Sequence, residues 1–318
     1  TDFRLPEAID ILGETARMWL SLGFLSGRDL HFHIHGVTGP DEYTAVVNDN
    51  LYTNVMAKAN LHSAARWLKK IEDEHPEEYE AVIRRLALSD AEIASFTEIA
   101  DRMFIPWNEA LGLHSQDEAF LEKQVWDFEA TPPSNYPLLL NYHPLVIYRH
   151  QVLKQSDTVL ALYLLGSQFS PEDKLANFDY YDAITTGDSS LSAAAQSIMA
   201  AEVGHPELAA DYFERLLNLD LADLHRNTDV GVHIASLGGT WSALVMGFAG
   251  LRDDTGTLRF APRLPVNWVG MKFSLEIDGY PLDVHISRTG VDFEYRAPSD
   301  RQVEVEVEGE KQIVWGSL

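Results

Sequence analysis

The residues best suited to chemistry lie in one short segment, His33-Ile-His-Gly-Val-Thr-Gly-Pro-Asp-Glu-Tyr43. Two glycines and a proline impose an unusual backbone around the carboxyl groups of Asp41 and Glu42. A carboxylic acid held rigidly in this way can protonate the oxygen of a bond that is being broken. A turn rich in Asp and Asn that only caps a helix starting near Asn50 explains the same residues. The segment alone leaves both interpretations open.

Helical periodicity on both sides of this segment predicts the elements that position it. Apolar residues at helical spacing predict helices over residues 6–22, 51–71, 77–105 with a break near Ser89-Asp90, 152–165, 191–203, 207–217 and 236–251. Residues 31–50 contain few helix formers and predict a long connection, and residues 107–146 predict irregular loops. Most of the chain is therefore expected to be α-helical.

The pattern changes near residue 255. Residues 272–277 and 303–308 alternate apolar and polar side chains, and Asp278-Gly279 and Thr289-Gly290 are turn signals. We therefore predict a mainly α protein with a C-terminal β domain, divided into residues 1–254 and 255–318.

Composition limits the partners and the compartment. The 318 residues carry a formal net charge of −25, which disfavours nucleic acids and anionic membranes. An anionic substrate would need a local cationic pocket. The absence of cysteine excludes disulfides and suits the cytoplasm. No apolar run reaches the roughly 18 residues that a membrane span needs, and no signal peptide is evident, so we expect a cytoplasmic protein.

Several motifs in a fixed order resemble glycoside hydrolase family 65. The first is the run from His35 to Tyr43, followed by Val47-Asn-Asp-Asn50 and Tyr52-Thr-Asn54. The others are residues 152–157 (VLKQSD), 187–192 (GDSSLS) and 231–236 (GVHIAS), the last running into Gly239-Thr-Trp241. The resemblance covers nearly the whole chain. The family contains maltose, trehalose and kojibiose phosphorylases and some hydrolases.

The resemblance implies a fold and partners. This chain would hold the second part of an (α/α)6 barrel, followed by a small antiparallel β-sandwich. The family's N-terminal β-sandwich and first barrel helices would belong to a segment upstream of residue 1. A homodimer is also implied.

The resemblance implies that Glu42 is the general acid of an inverting reaction on an α-glucosidic disaccharide. In a phosphorylase, inorganic phosphate attacks the anomeric carbon, so no second carboxylate and no cofactor are required. The products would be β-glucose 1-phosphate and a free sugar. Two alternatives stay open. One is an inverting hydrolase of the same family that uses Asp188 or Asp182 as base, and the other is a non-catalytic carbohydrate-binding fragment.

Ser189, Ser190 and His233 are the candidate phosphate-binding residues. The serines precede a predicted helix whose first N–H groups favour anions. An ordinary serine cap and a histidine satisfied within a turn explain the same residues. Many phosphorylases of the family carry a histidine or arginine immediately before Asp-Ser-Ser, whereas this chain has Gly187.

Lys154 and Gln155 are the candidate sugar-binding residues. The resemblance implies that they contact hydroxyl groups of the transferred glucosyl ring. A solvated helix face is the ordinary explanation for such a pair. Buried apolar neighbours at Leu153 and Val159 favour the functional interpretation, because a buried lysine is costly unless it has a partner.

A catalytic metal is not expected. His31, His33 and His35 alternate along an extended segment, but no third ligand follows at the spacing typical of zinc enzymes. No phosphate-binding loop, dinucleotide-binding glycine motif or serine-hydrolase elbow occurs in the sequence.

Overall fold

The structure is a computed structural model that describes residues 4–224, 226–253 and 256–318. The chain divides into two compact units, Thr1–Ala161 and Leu162–Leu318, here called the first and second unit. The domain boundary that the sequence suggests near residue 254 stays a prediction.

Four helices form most of the first unit: α1 (Arg4–Leu22), α2 (Leu51–Glu74), α3 (Pro76–Leu86) and α4 (Asp90–Asp101). Apolar side chains recur every three or four residues along α2, so Leu61, Ala64 and Leu68 share one buried face. The other three helices pack on α2 and enclose a single apolar core. The predicted break is confirmed at Ser89, whose hydroxyl accepts the N–H of Glu92.

The rest of the first unit is irregular, as predicted. It contains the short helices α5 (Leu138–Asn141) and α6 (Pro144–Ile147) and the two-residue strands β1 (Phe24–Leu25), β2 (Phe32–His33), β3 (Gln124–Val125) and β4 (His150–Gln151). Strand β1 pairs antiparallel with β2, and β3 pairs parallel with β4. A second apolar cluster around Tyr43, Trp126 and Leu138 anchors these loops.

Helix α7 (Asp157–Leu164) crosses the boundary between the units and begins five residues later than predicted. The backbone N–H groups of Lys154 and Gln155 donate to the carboxylate of Asp41. Lys154 and Gln155 therefore lie in the connection before α7, and this tertiary contact is invisible to periodicity.

The helices of the second unit are α8 (Pro171–Ala183), α9 (Ser192–Val203), α10 (Pro206–Asn218) and α11 (Ile234–Ser242), and a π-helical segment, Ala243–Phe248, continues α11. The sequence did not predict α8, because polar Asn177 is among its buried residues and its apolar residues form no single stripe. A capping box between Ser170 and Asp173 starts that helix.

The C-terminal strands form two three-stranded sheets. One contains β6 (Gly270–Ile277), β7 (Tyr280–Ser287) and β8 (Gly290–Tyr295), all antiparallel. The other has the order β10 (Glu310–Trp315), β9 (Gln302–Val307), β5 (Leu258–Phe260). Strand β5 runs parallel to β9, a pairing that the hairpin signals did not predict.

The Asp278-Gly279 turn is confirmed, since both residues have positive φ angles, 51° and 82°, as a tight hairpin requires. Residues 288 and 289 form the next turn, one residue earlier than predicted, and Gly290 starts β8. The mainly α fold class with a C-terminal β region is thus confirmed.

Candidate active site

The turn that carries Glu42 closes on itself at its base. Val37 and Val47 exchange two backbone hydrogen bonds, of 3.0 and 2.8 Å. Within the turn, a Cβ atom built on Gly39 would lie 2.0 Å from Oδ2 of Asp157. Only glycine permits this close approach, so the sequence motif is explained by packing against the start of α7.

The carboxylate of Asp41 is fully buried beneath this turn. Its Oδ1 atom accepts the backbone N–H of Lys154 at 2.9 Å and that of Tyr43 at 3.3 Å. Its Oδ2 atom accepts the side-chain amide of Gln116 at 3.2 Å. Through these bonds and one from the backbone N–H of Gln155, Asp41 holds residues 154 and 155 against the turn.

Asp157 makes the reciprocal contacts. Its Oδ1 atom accepts the backbone N–H of Asp41 at 2.7 Å, and its Oδ2 atom accepts the side-chain amide of Asn50 at 2.8 Å. Asn50 also caps α2, since its Oδ1 atom accepts the N–H of Thr53. The capping interpretation is therefore correct for Asn50.

Burial dominates the electrostatics of the two aspartates. It raises the pKa of Asp41 to about 7, although hydrogen bonds from backbone N–H groups oppose the shift. Burial raises the pKa of Asp157 to about 8, and the charge of Asp41 adds to the effect. Near neutral pH this pair therefore retains a proton that exposed aspartates would have lost.

Glu42 has the opposite environment, because 61% of its side chain is exposed. The ammonium group of Lys154, 22% exposed, donates to its Oε2 atom. The side-chain amide of Gln155 donates to the carbonyl of Pro40 at 2.5 Å. All three predicted residues of the first unit, Glu42, Lys154 and Gln155, thus meet at one turn. Lys154 is only partly buried, and its partner is the proposed acid.

In the second unit, Ser189 and Ser190 line a cavity of about 160 Å³. The helix that follows begins at Ser192, one residue later than predicted. The hydroxyl of Ser189 accepts the N–H of Leu191 at 3.2 Å, which is the local turn of the capping interpretation. Both serines of the Asp-Ser-Ser run nonetheless lie at the wall of this cavity.

Arg215, a residue that sequence reasoning missed, lines the same cavity. Its Nη2 atom lies 3.4 Å from the position that a Cβ of Gly187 would occupy. Among the described residues, no carboxylate lies within ion-pair distance of Arg215, and its guanidinium is 5.8 Å from the ring centre of Tyr212. The net charge of −25 indicated that an anionic substrate would need a local cationic pocket, but it did not locate that pocket.

His233 is held by Asp220. Its Nδ1 atom lies 2.6 Å from Oδ1 of Asp220, and its backbone N–H donates to Oδ2 at 2.9 Å. One turn further, the hydroxyl of Ser236 donates to the carbonyl of Ser190 at 2.8 Å. The segments carrying Ser190 and His233 therefore meet.

Asp182, a candidate base for hydrolysis, is already engaged. Its Oδ1 atom accepts the side-chain amide of Gln196 at 2.7 Å and the hydroxyl of Tyr212 at 2.9 Å. Burial raises the pKa of Tyr212, and the charge of Asp182 raises it further. This carboxylate therefore stabilises the packing of α8 against its neighbours.

One group among the described residues has the donor set for a metal ion, namely His33, His35 and Asp49. Asp49 is a third potential ligand that the sequence spacing did not reveal, because it joins the histidines only across the base of the Glu42 turn.

Comparison with known proteins assigns the family. Residues 1–242 match the sequence model of the glycosyl hydrolase family 65 central catalytic domain. The chain belongs to glycosyl hydrolase family 65. Residues 251–314 of this family 65 chain match the model of the family's C-terminal domain. The resemblance carried by the Gly-Pro-Asp-Glu-Tyr run is therefore confirmed.

Named relatives agree with this assignment. The family 65 chain is 44% identical over 290 residues to an alpha,alpha-trehalose phosphorylase of Geobacillus stearothermophilus, covering 91% of this chain and 38% of the relative. It is 48% identical over 285 residues to an uncharacterized glycosyl hydrolase of Mycobacterium tuberculosis, covering 89% of this chain and 35% of the relative. The chain thus spans well under half of the curated relatives that it matches.

A solved structure supports the fold. It comes from the human microbiome, is assigned as a kojibiose phosphorylase, and superposes on this family 65 chain with a TM-score of 0.86 at 27% identity. The superposition covers 99% of this chain and 43% of that protein. Within the described ranges, no helix is both long and apolar enough to cross a bilayer.

Proposed function

We propose that the complete protein catalyses the inverting phosphorolysis of an α-glucosidic disaccharide to β-glucose 1-phosphate and a free sugar. The observation that carries the proposal is the exposed carboxyl of Glu42 on a turn that buried Asp41 and Asp157 hold in place. A general acid needs such a position, because it must reach the substrate while its backbone stays fixed. Relatives named as phosphorylases support the reaction type.

In the proposed reaction, Glu42 donates its proton to the glycosidic oxygen as the bond from that oxygen to the anomeric carbon breaks. A phosphate oxygen forms the new bond on the opposite face of the sugar, which inverts the configuration. Lys154 and Gln155 orient the glucosyl ring and the Glu42 turn. Only phosphate is needed as co-substrate, and no cofactor takes part in the bond changes.

The phosphate partners that we propose are Ser189, Ser190, His233 and Arg215. Hydroxyl, imidazole and guanidinium groups all donate hydrogen bonds to oxyanions, and a guanidinium also supplies positive charge. Arg215 provides the local positive charge that anionic phosphate needs in order to bind a protein with a net charge of −25. It also occupies the space beside Gly187, where many family members carry a basic side chain.

The decisive assay uses the complete protein with trehalose, maltose and kojibiose, each with and without phosphate. Trehalose comes first, because the relative that is 44% identical is a trehalose phosphorylase. We expect cleavage only with phosphate, and NMR should identify the phosphorylated product as the β anomer. Equal cleavage in phosphate-free buffer would favour the hydrolase, with Asp188 as the remaining candidate base. Binding of sugar without any turnover would favour a non-catalytic role.

A further inference from the structure

Two histidines and one aspartate meet at the base of the Glu42 turn. The Nδ1 atom of His33 lies 2.9 Å from Oδ2 of Asp49, and the Nε2 atom of His35 lies 3.4 Å from the same oxygen. All three ligand atoms lie within 4.8 Å of one another. This cluster, which we call the His-His-Asp cluster, joins the two ends of the segment that contains Glu42.

The separations of the two histidine nitrogens from Oδ2 of Asp49 suit a small metal ion. In a tetrahedral zinc site, bonds of about 2.0–2.2 Å place neighbouring ligand atoms roughly 3.4 Å apart. The two separations from Asp49, 2.9 and 3.4 Å, need only a small adjustment to reach this value. Two imidazoles and one carboxylate favour zinc and related transition metals, whereas magnesium and calcium prefer oxygen ligands alone.

The surrounding groups already orient the ligands. Carboxylate oxygen Oδ2 of Asp29 lies 3.2 Å from Nε2 of His33, so the second ring nitrogen is held by a carboxylate, as is common for metal-binding histidines. The Oδ1 atom of Asp49 accepts the N–H of Ile34 at 3.2 Å and the side-chain amide of Asn54 at 3.1 Å. These bonds leave Oδ2 directed at the two imidazoles.

We propose that His33, His35 and Asp49 bind one divalent transition-metal cation, with Zn²⁺ as the best match. The ion replaces the Nδ1 proton of His33, which passes to solvent, and no electron is transferred. Its role is structural. His35 precedes Val37 in sequence and Asp49 follows its partner Val47. An ion bound by both residues therefore holds together the two ends of the turn that carries Glu42.

A protonated His33 between Asp29 and Asp49 would explain the same contacts without a metal, so the experiment must separate the two arrangements. The complete protein, free of affinity tags, is stripped with EDTA, dialysed and titrated calorimetrically with ZnCl₂. Bound zinc is then counted by elemental mass spectrometry. The matched variants are His33→Ala and His35→Ala, and the control is His31→Ala on the same segment but outside the cluster.

We expect the parent protein and His31→Ala to bind one zinc ion more per chain than either cluster variant. Where binding persists in a cluster variant, its dissociation constant should rise at least about tenfold. MgCl₂ should produce no saturable heat. His35 is 40% exposed, so His35→Ala should fold, and circular dichroism checks this.

Hydrogen exchange gives a second readout. Zinc should slow the exchange of backbone N–H groups in residues 36–48 of the parent protein but not of His35→Ala. Equal zinc stoichiometry together with an equal dissociation constant in the parent and in both cluster variants would overturn the proposal, as would the absence of stoichiometric zinc from the parent protein. Either result would leave His33 as part of an ion-pair network with Asp29 and Asp49.

Discussion

The backbone N–H of Asp41 donates to Oδ1 of Asp157 at 2.7 Å, although 116 residues separate the two in sequence. This hydrogen bond fixes the turn before Glu42 to the first residue of α7. The position of the proposed acid therefore depends on a second, distant motif.

Replacing Glu42 by glutamine tests the acid directly. The amide cannot deliver a proton, so phosphorolysis should slow by at least about a hundredfold. Folding should be unchanged because the side chain is largely exposed. Steady-state rates are compared with those of Glu109→Gln, an exposed glutamate of the same unit. A Glu42→Gln enzyme with a near-normal rate would remove this residue from its role.

Replacing Gly39 by alanine tests the close packing of the turn. The added Cβ would lie 2.0 Å from Oδ2 of Asp157, so turn and helix must separate. The free energy of unfolding should fall by about 1–3 kcal/mol, measured by urea denaturation. Gly27→Ala is the matched control, because a Cβ there meets nothing within 4 Å. Equal stability of the two variants would show that the turn is not packed in this way.

The Asp41 and Asp157 pair predicts a pH dependence of stability. Both pKa values are raised, to about 7 and about 8, so the folded protein keeps protons that the unfolded chain releases. The free energy of unfolding should therefore decrease as pH rises from about 4 through 8. Urea denaturation across this range measures the slope.

Asp157→Asn should flatten that slope, because the amide does not titrate. Glu80→Gln, at a surface ion pair with 64% of its side chain exposed, should leave the slope unchanged. If the free energy of unfolding of Asp157→Asn depends on pH as steeply as that of the parent protein, other groups cause the pH dependence.

Replacing Arg215 by glutamine tests the cation of the phosphate cavity. Loss of a charged hydrogen-bond donor costs about 1.5–3 kcal/mol, so the KM for phosphate should rise about tenfold to a hundredfold. The KM for the disaccharide should change little. Arg84→Gln removes the same charge at a surface pair and should change neither constant. A parallel increase of both constants in Arg215→Gln would indicate a structural role.

Local pattern was sufficient to predict much of this protein. The helices around the Glu42 segment and the C-terminal hairpins follow from periodicity and turn chemistry, because backbone preferences act over a few residues. The family follows from short motifs in a fixed order, including the Asp-Ser-Ser run. The candidate roles of Glu42, Lys154, Gln155 and the two serines stay predictions, although the first three residues do lie at one turn.

Only the tertiary structure decided which distant groups meet. Arg215 lies beside Gly187 although helix α9 separates them in sequence. Asp49 contacts two histidines across a closed turn, and Asp157 accepts a hydrogen bond from Asp41. Each contact depends on how separate elements pack, and no local spacing encodes that. The same packing removes water from Asp41 and Asp157 and so raises their pKa values, an effect of burial that a sequence alone does not reveal.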